Sequence, residues 1–199
     1  ALTTLVNIPV PSNCINSTSK CVFTATYEGI VELCYNDPLN NGALTPSQKG
    51  YHIVVERCCR NASVVNLNVP GSQGIAIHCY IPPDMVPNNS PNINIDSIWV
   101  GCVNDTSQLS YHVSDLDGDS VVVSITPPLK GANSGTGNPI PQPSNVLTWP
   151  IPTGIYSGGY SSSLPFGNGS VVDLISNQQV LNLYSAIQGD FSIGLKLFE

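Results

Sequence analysis

The chain has few charged residues and very few cations. Only 10% of its 199 residues are charged, and six Lys plus Arg stand against 13 Asp plus Glu, so the net charge is −7. Such a chain offers no basic patch that could neutralise phosphates, and nucleic-acid binding is therefore not expected. The Glu- and Lys-rich surface of a helical cytosolic enzyme is missing as well. The acidic balance favours cations as small partners.

Long apolar runs and helical periodicity are also missing. No segment approaches the roughly 20 consecutive apolar residues that a membrane-spanning helix needs, so membrane insertion is not expected. No extended window repeats its apolar residues with the period of an α-helix. The sequence begins at Ala1 without Met or a signal peptide, and we interpret it as a processed or trimmed secreted chain.

Turn-forming residues and strand-like alternation are abundant instead. Gly and Pro contribute 17 residues each. Apolar residues alternate with polar ones most clearly at Leu109, Tyr111 and Val113, and again from Phe191 to Leu197. Further strands are predicted at 22–27, 29–35, 51–58, 62–68, 74–80, 97–103, 119–126, 146–149, 170–175 and 178–184. The pattern predicts an all-β sandwich architecture.

A proline- and asparagine-rich stretch divides the chain. Residues 81–96 read "IPPDMVPNNSPNINID", which is typical of a domain junction. We therefore predict a cysteine-rich N-terminal β-sandwich domain over 1–94 and a second β-sandwich domain over 95–199. Residues 127–145 are again rich in Pro, Gly and Asn and are predicted to form a long loop.

The cysteines predict disulfides and a secreted or cell-surface location. None stands in a Cys-x-x-Cys pair, and no His falls at zinc-ligand spacing. Strand alternation places the adjacent pair on opposite faces, so one of the two is expected to bridge to Cys34, while Cys14 and Cys21 are close enough to close a small loop. The odd number leaves at least one thiol free or paired elsewhere. The candidate disulfide residues are Cys14, Cys21, Cys34, Cys58, Cys59, Cys79 and Cys102.

Five Asn-x-Ser/Thr sequons agree with an extracellular chain. Each is a candidate glycosylation site and predicts an exposed asparagine. The five asparagines are Asn16, Asn61, Asn88, Asn104 and Asn168.

The segment "VSDLDGDSVV", residues 113–122, is the most chemical feature of the sequence. Asp115, Asp117 and Asp119 alternate around a glycine, and hard carboxylate oxygens at this spacing can converge on one Ca²⁺. An EF-hand is excluded because no Glu follows at the twelfth loop position and no helices flank the segment. Asp105 is a candidate for a further ligand, and Glu199 could contribute if the fold brings it near. An ordinary solvated turn explains the same residues equally well.

Catalytic arrangements find little support. The carboxylate pair of a glycosidase comes from different strands of an aromatic cleft, whereas these carboxylates are sequence neighbours and only 7% of the chain is aromatic. No Gly-x-Ser-x-Gly elbow would present a serine nucleophile. The histidines each lie within a strand pattern and are interpreted as paired or surface residues: His52, His78 and His112. We predict no catalytic residues and no enzymatic activity.

Aromatic residues raise a second function class, carbohydrate binding. Trp99 and Trp149 are flanked by apolar strand residues, which favours core packing. Tyr156 and Tyr160 lie in the Gly- and Ser-rich stretch "GIYSGGYSSS" and are better candidates for a ligand surface. A mobile loop is the plainer interpretation.

Five motifs together resemble a known family. They are "CCRNASVVNL", "NNSPNINI", "VSDLDGDSVVVSITPPL", "LTWPIPTGIYSGGYSSSLPFGN" and "GDFSIGLKLFE". In order and spacing they resemble the modules of large Bacteroidota cell-surface proteins, the gliding-motility-associated and type IX secretion cargo proteins. The resemblance implies immunoglobulin-like, PKD-like or cadherin-like β-sandwiches that act as building blocks of adhesins or filaments. Their partners would be other copies or neighbouring modules.

The resemblance has further implications and two departures. Related surface modules use an Asp-rich turn to hold Ca²⁺ and to stiffen a domain junction. The cysteine that often follows this turn in the family is absent here, so the resemblance implies that Cys102 either pairs elsewhere, with Cys79 as the obvious candidate, or stays free. The family pattern also continues beyond Glu199, which implies that the chain is a section of a longer protein or that its end was trimmed. A structural surface module is thus the expected function, and a glycan-binding module is the alternative.

The first residues, "ALTTLVNIPV", are apolar, alternate in part and lie outside the family-like region. Since the open edge of a sandwich can accept a strand from a neighbour, one hypothesis is that this segment is donated between subunits during assembly. The other is that it forms an ordinary first strand of its own domain.

Overall fold

A computed structural model describes residues 2–8, 20–26, 28–30, 50–82, 88–95, 98–131 and 150–199, with side chains from residue 28 onward. The regular elements in these ranges are ten strands: β1 (Leu2–Ile8), β2 (Lys20–Thr26), β3 (Tyr51–Arg57), β4 (Ile75–Ile81), β5 (Asn92–Ile95), β6 (Thr106–Ser114), β7 (Val122–Thr126), β8 (Val171–Ile175), β9 (Val180–Tyr184) and β10 (Gly194–Phe198). Two short 3₁₀ helices, Pro70–Ser72 and Ser176–Gln178, accompany them. The prediction of an all-β chain is confirmed.

Every pairing between the ten described strands is antiparallel. A four-stranded sheet has the order β5-β6-β9-β8, and three two-stranded sheets pair β10 with β7, β3 with β4, and β1 with β2. In the larger sheet Leu181 of β9 lies opposite Leu109 of β6 on one side and opposite Leu174 of β8 on the other. Within the described residues, no helix is both long enough and apolar enough to cross a membrane.

The hydrophobic core lies between the four-stranded sheet and the β7–β10 pair. Strand alternation turns Tyr111 of β6 and both leucines of β9, Leu181 and Leu183, toward Val123 of β7, and each is at most 8% exposed. Phe166 closes the cluster and meets Phe191 edge to face, with ring centroids 4.9 Å apart. The period-two pattern of the sequence therefore translates into two layers around one core, because each layer buries only its apolar face.

The two N-terminal sheets are simple hairpins. β1 pairs with β2 of the same chain, from Leu2 opposite Thr26 to Ile8 opposite Lys20, so the first residues form an in-chain strand. β3 pairs with β4 in the same manner. One face of this hairpin is apolar but open: Val55 is 62% and Ile77 is 68% exposed.

The segment between β3 and β4 is a packed loop, not the predicted strand over 62–68. Its backbone forms turns and only isolated bridges at Val64 and Leu67. Asn66 is fully buried, and its side chain donates to the carbonyls of Pro165 (3.0 Å) and Ser192 (2.9 Å) and accepts the N–H of Ser192 (3.0 Å). Side-chain amide bonds thus hold this segment in place of strand-to-strand backbone bonds. Apolar alternation does not reveal such bonds and therefore predicted a strand here.

Further polar contacts tie this loop to the C-terminal half. Gln73 is 2% exposed, and its side chain accepts the N–H of Ile155 (2.9 Å). Arg60 donates to the Ser192 hydroxyl (2.8 Å) and to the carbonyl of Leu129 (2.7 Å). Burial lowers the pKa of Arg60 from its ordinary value. These contacts cross the predicted 94/95 boundary, which itself falls inside β5; the number of domains stays a prediction.

Other predicted strands fare unevenly. Those at 51–58, 74–80, 119–126, 170–175 and 178–184 match β3, β4, β7, β8 and β9 within a few residues, and 22–27 matches β2. The strand predicted at 97–103 is wrong for residues 98–103, which carry no strand. β5 was missed because its four residues, "NINI", are half asparagine, a residue depleted in strands. The predictions at 146–149 and at most of 29–35 lie outside the described residues.

The cysteines depart from the expected pairings. The sulfur atoms of Cys58 and Cys59 lie side by side, so the prediction that the two point apart is wrong. Cys79 has a free thiol, whereas Cys102 is disulfide-bonded, so the pairing of these two that the resemblance implied is also wrong. The predictions for Cys14, Cys21 and Cys34 lie outside the described side chains, and stapling of the fold by disulfides stays a prediction.

Candidate metal centre

The turn between β6 and β7 carries the three aspartates of the sequence motif. β6 ends at Ser114, and the chain then leaves the four-stranded sheet and crosses to the β7–β10 sheet. Gly118 has a φ of +85°, a conformation that is strained for residues with a Cβ, although the surrounding space is open. The glycine of the motif is therefore needed for backbone conformation, not for room.

Asp115 organises the turn. Its Oδ1 accepts the backbone N–H groups of Asp117 (2.8 Å) and Asp119 (3.3 Å). This is the local bonding for which Asp is favoured in turns. Its second oxygen, Oδ2, is buried and has no hydrogen-bond partner among the described residues. Half of this carboxylate therefore holds the turn, and the other half is left for a further partner.

The three carboxylates converge. One oxygen from each of Asp115, Asp117 and Asp119 lies within 4.8 Å of the others. Ca²⁺ binds oxygen at about 2.3–2.6 Å, so two ligands on opposite sides of one ion stand up to about 5 Å apart. The separations thus fit a shared ion. Among the described residues this is the one group of three or more His, Cys, Asp or Glu side chains that meets this condition.

Asp117 is also bound from outside the turn. The backbone N–H of Asn89 donates to its Oδ2 (2.5 Å), and the Asn89 side chain donates to both oxygens (3.0 and 3.1 Å). Neighbouring Asn88 donates to Oε1 of Glu199 (2.7 Å). The turn is therefore linked to the segment that enters β5 and, through it, to Glu199, the residue that follows β10.

Asp105 does not belong to this cluster. It lies immediately before β6, whereas Asp115 follows the other end of the strand. A strand rises about 3.3 Å per residue, which separates the two by roughly 30 Å. Its selection as a ligand is therefore wrong. Glu199, the other candidate oxygen donor, lies outside the converging group as well and binds Asn88 instead.

A cavity of about 130 Å³ lies on the inner side of the turn. Asp115 and Asp119 line it together with Tyr111, and the β8–β9 connection contributes Ser176 and Gln179. Tyr111 is only 5% exposed, and its hydroxyl is buried without a partner among the described residues. This second wall could not be predicted from the motif, because residues 176–179 lie far from it along the chain.

Gln179 fixes the wall contributed by the β8–β9 connection. It adopts a left-handed backbone with φ 52°. Its carbonyl accepts the N–H of Tyr111 (2.8 Å), and its side-chain Oε1 accepts the N–H of Val113 (2.9 Å) and contacts Nδ1 of His112 (3.1 Å). The cavity walls are therefore joined directly to β6.

The histidines occupy two places. His112 contacts Gln179, and His52 pairs with His78 on the β3–β4 hairpin through Nδ1 and Nε2, 2.9 Å apart. Burial, followed by the neighbouring His52 and Lys196, lowers the pKa of His78 from its ordinary value of 6.5. Sequence analysis predicted paired or surface histidines, and this pairing confirms that description.

The described aromatic candidates for glycan binding are half-buried. Trp99 packs against the core. Tyr160 is half-buried near Phe191, and Tyr156 is half-buried with a hydroxyl that has no partner among the described residues. Burial raises the pKa of Tyr156 in spite of the nearby Arg60. Trp149 lies outside the described residues, and glycan binding stays a prediction.

Four sequon asparagines lie on the surface. Asn61, Asn88, Asn104 and Asn168 are exposed, as glycosylation requires. Asn104 has a left-handed backbone (φ 59°) and accepts a bond from the Tyr184 hydroxyl (3.4 Å). Asn16 lies outside the described residues, and the modification itself stays a prediction.

Comparison with known proteins identifies no relative. No family model matches the chain, and no curated protein or solved structure matches it significantly. The function therefore has to be argued from the site itself.

Proposed function

We propose that this chain is a non-enzymatic structural module of an extracellular adhesin or filament, and that its β6–β7 turn binds Ca²⁺. The convergence of Asp115, Asp117 and Asp119 within 4.8 Å is the observation that carries the calcium proposal. Three carboxylates at this distance repel one another, and a divalent cation offsets that repulsion. The acidic, cation-poor composition and the resemblance to Bacteroidota surface modules support the extracellular role.

The position of the turn gives the ion a mechanical role. The turn joins the two sheets of the sandwich, and Asp117 is bonded to Asn89 in the segment that leads into β5. An ion that fixes these carboxylates also fixes the sheet crossing and the entry to the C-terminal sandwich. Local opening of the turn then becomes less favourable, since the ion binds only the closed form.

The calcium proposal is tested by scanning calorimetry of the full chain. Saturating Ca²⁺, at about 100 times its dissociation constant, should raise the Tm by about 5–10 °C, and chelator should reverse the shift. The matched control is Asp173→Asn, which removes an exposed carboxylate on β8 and should leave the shift intact. An unchanged Tm for the wild type with and without Ca²⁺ would leave the aspartates as an ordinary turn.

Assembly through the N-terminal strand is the second part of the proposal. Among the described strands β1 pairs with β2 of its own chain, and strand donation would exchange this pairing for the same pairing with β2 of a neighbouring copy. A synthetic peptide of residues 1–12, added in excess, should block assemblies seen by electron microscopy, whereas a scrambled peptide should not. Deletion of residues 1–12 should abolish them. Assemblies that persist unchanged after both treatments would contradict strand donation.

A further inference from the structure

We propose that the ion binds on the inner side of the turn, in the cavity between the β6–β7 turn and the β8–β9 connection, with Asp115 and Asp119 as its carboxylate ligands. In this arrangement Asp117 is not a ligand and instead holds Asn89. This inference rests on the proposed calcium function and specifies where the ion sits and which residues hold it.

The cavity separates the three aspartates into two groups. Asp115 and Asp119 line it, whereas Asp117 does not. Both oxygens of Asp117 already accept bonds from Asn89, so recruiting Asp117 to an ion would compete with three existing contacts. Asp115 has the opposite character, because its Oδ1 is used within the turn and its Oδ2 is unused.

Two buried oxygens without partners belong to residues that line this cavity. One is Oδ2 of Asp115, and the other is the hydroxyl of Tyr111, a residue that is 5% exposed. Buried polar atoms without a partner are rare, since each loses its hydration and gains nothing in return. The Tyr111 hydroxyl lies on β6, outside the acidic turn, and points independently to a polar guest at this position.

The charge and size of the cavity favour a hydrated divalent ion. The two carboxylates that line it together balance the charge of one Ca²⁺. Ser176 adds a neutral hydroxyl on the far wall. Ca²⁺ takes six to eight oxygens and readily keeps water among them, and a cavity of about 130 Å³ has room for the ion and a few waters at roughly 30 Å³ each.

An ion at this position would connect two segments of the chain. Asp115 and Asp119 belong to the crossing between the two sheets, and Ser176 belongs to the connection between β8 and β9. Binding would therefore join two chain segments that are far apart in sequence. An ion held by Asp117 would act on the turn and, through Asn89, on the segment that enters β5, but not on the β8–β9 connection.

The test is calcium titration calorimetry on the full chain and on single Asp→Asn variants. Asp115→Asn and Asp119→Asn should weaken Ca²⁺ binding about tenfold or more, and Asp117→Asn should change it less than about threefold, like the control Asp173→Asn. Asparagine keeps one side-chain oxygen, so the Asp115 variant can still accept the turn N–H groups. Circular dichroism verifies that each variant folds.

Terbium luminescence adds a test of position. Tb³⁺ replaces Ca²⁺ at oxygen sites and is excited by a tyrosine only at short range. Tyr111→Phe should remove most of the tyrosine-sensitised emission while the chain's seven other tyrosines remain, and Tyr80→Phe, which does not line the cavity, should retain it.

The possible outcomes separate the two proposals. Equal weakening by all three Asp→Asn substitutions in the turn, or undiminished emission from Tyr111→Phe, would overturn the inner site while leaving the proposed calcium function intact. Failure of the wild-type chain to bind Ca²⁺ would overturn both.

Discussion

The β3–β4 hairpin and the β6–β9 pair follow the same strand pattern but differ in burial. On the hairpin, Val55 and Ile77 lie opposite each other and stay more than 60% exposed. In the β6–β9 pair, Leu181 is 2% exposed because the β7–β10 sheet covers it. Alternation thus specifies which side chains share a face, whereas a second layer decides whether that face is buried.

The largest expected effect comes from the covered face. Leu181→Ala should lower the free energy of unfolding by about 2–5 kcal/mol, because it leaves a cavity in the core. Ile77→Ala on the open hairpin should cost less than about 1 kcal/mol. Guanidinium unfolding curves measure both. Equal losses would contradict the contrast between the two regions.

The packed loop between β3 and β4 is tested at Asn66. Asn66→Ala removes three hydrogen bonds and leaves buried backbone groups of Pro165 and Ser192 without these partners. The free energy of unfolding should therefore fall by about 2–3 kcal/mol. Asn68 is exposed, and Asn68→Ala serves as the matched control. Indistinguishable urea midpoints for the two variants would rule out an amide-held loop.

The aspartate turn is tested through its glycine. Gly118→Ala places a Cβ on a backbone with φ +85°, which should reduce stability by about 1–2 kcal/mol. Gly158 is also in open space but has no positive φ, so Gly158→Ala should not show this loss. Thermal unfolding of both variants without added metal decides the matter, and a Gly118 variant as stable as the wild type would refute the strain argument.

The smallest effect is a pH dependence on the hairpin. Burial, then His52 and Lys196, lower the pKa of His78, so the folded state binds fewer protons at this group than the unfolded chain. Its contribution to stability should be fully present above about pH 6.5 and should be lost as pH falls through the lowered pKa. His78→Gln should reduce the slope of stability against pH in this window, and an unchanged slope would disprove the assignment.

The sequence predicted much of the strand content but little of the polar architecture. The alternation at Leu109, Tyr111 and Val113 correctly located β6. The loop at 62–68 was taken for a strand, because no local signal shows that Asn66 bonds to residues about 100 positions later. The side-by-side placement of the Cys58 and Cys59 sulfur atoms was likewise missed, since alternation assumes that extended backbone continues through both.

The candidate site shows the same limit. The spacing of Asp115, Asp117 and Asp119 was enough to predict that the three carboxylates converge. Asp105 was wrongly included because the sequence alone did not show that all of β6 separates it from the turn. Asn89 and Ser176 were missed because only tertiary packing brings them to the motif.

The central claim is most directly tested by counting bound calcium. Equilibrium dialysis of the full chain against Ca²⁺ at neutral pH should show saturation at a single ion per chain. The Asp115→Asn, Asp119→Asn double variant should bind none, whereas Asp173→Asn should bind as the wild type does. A wild-type chain that retains no Ca²⁺, or a double variant that retains it fully, would contradict the assignment of the β6–β7 turn as a calcium site.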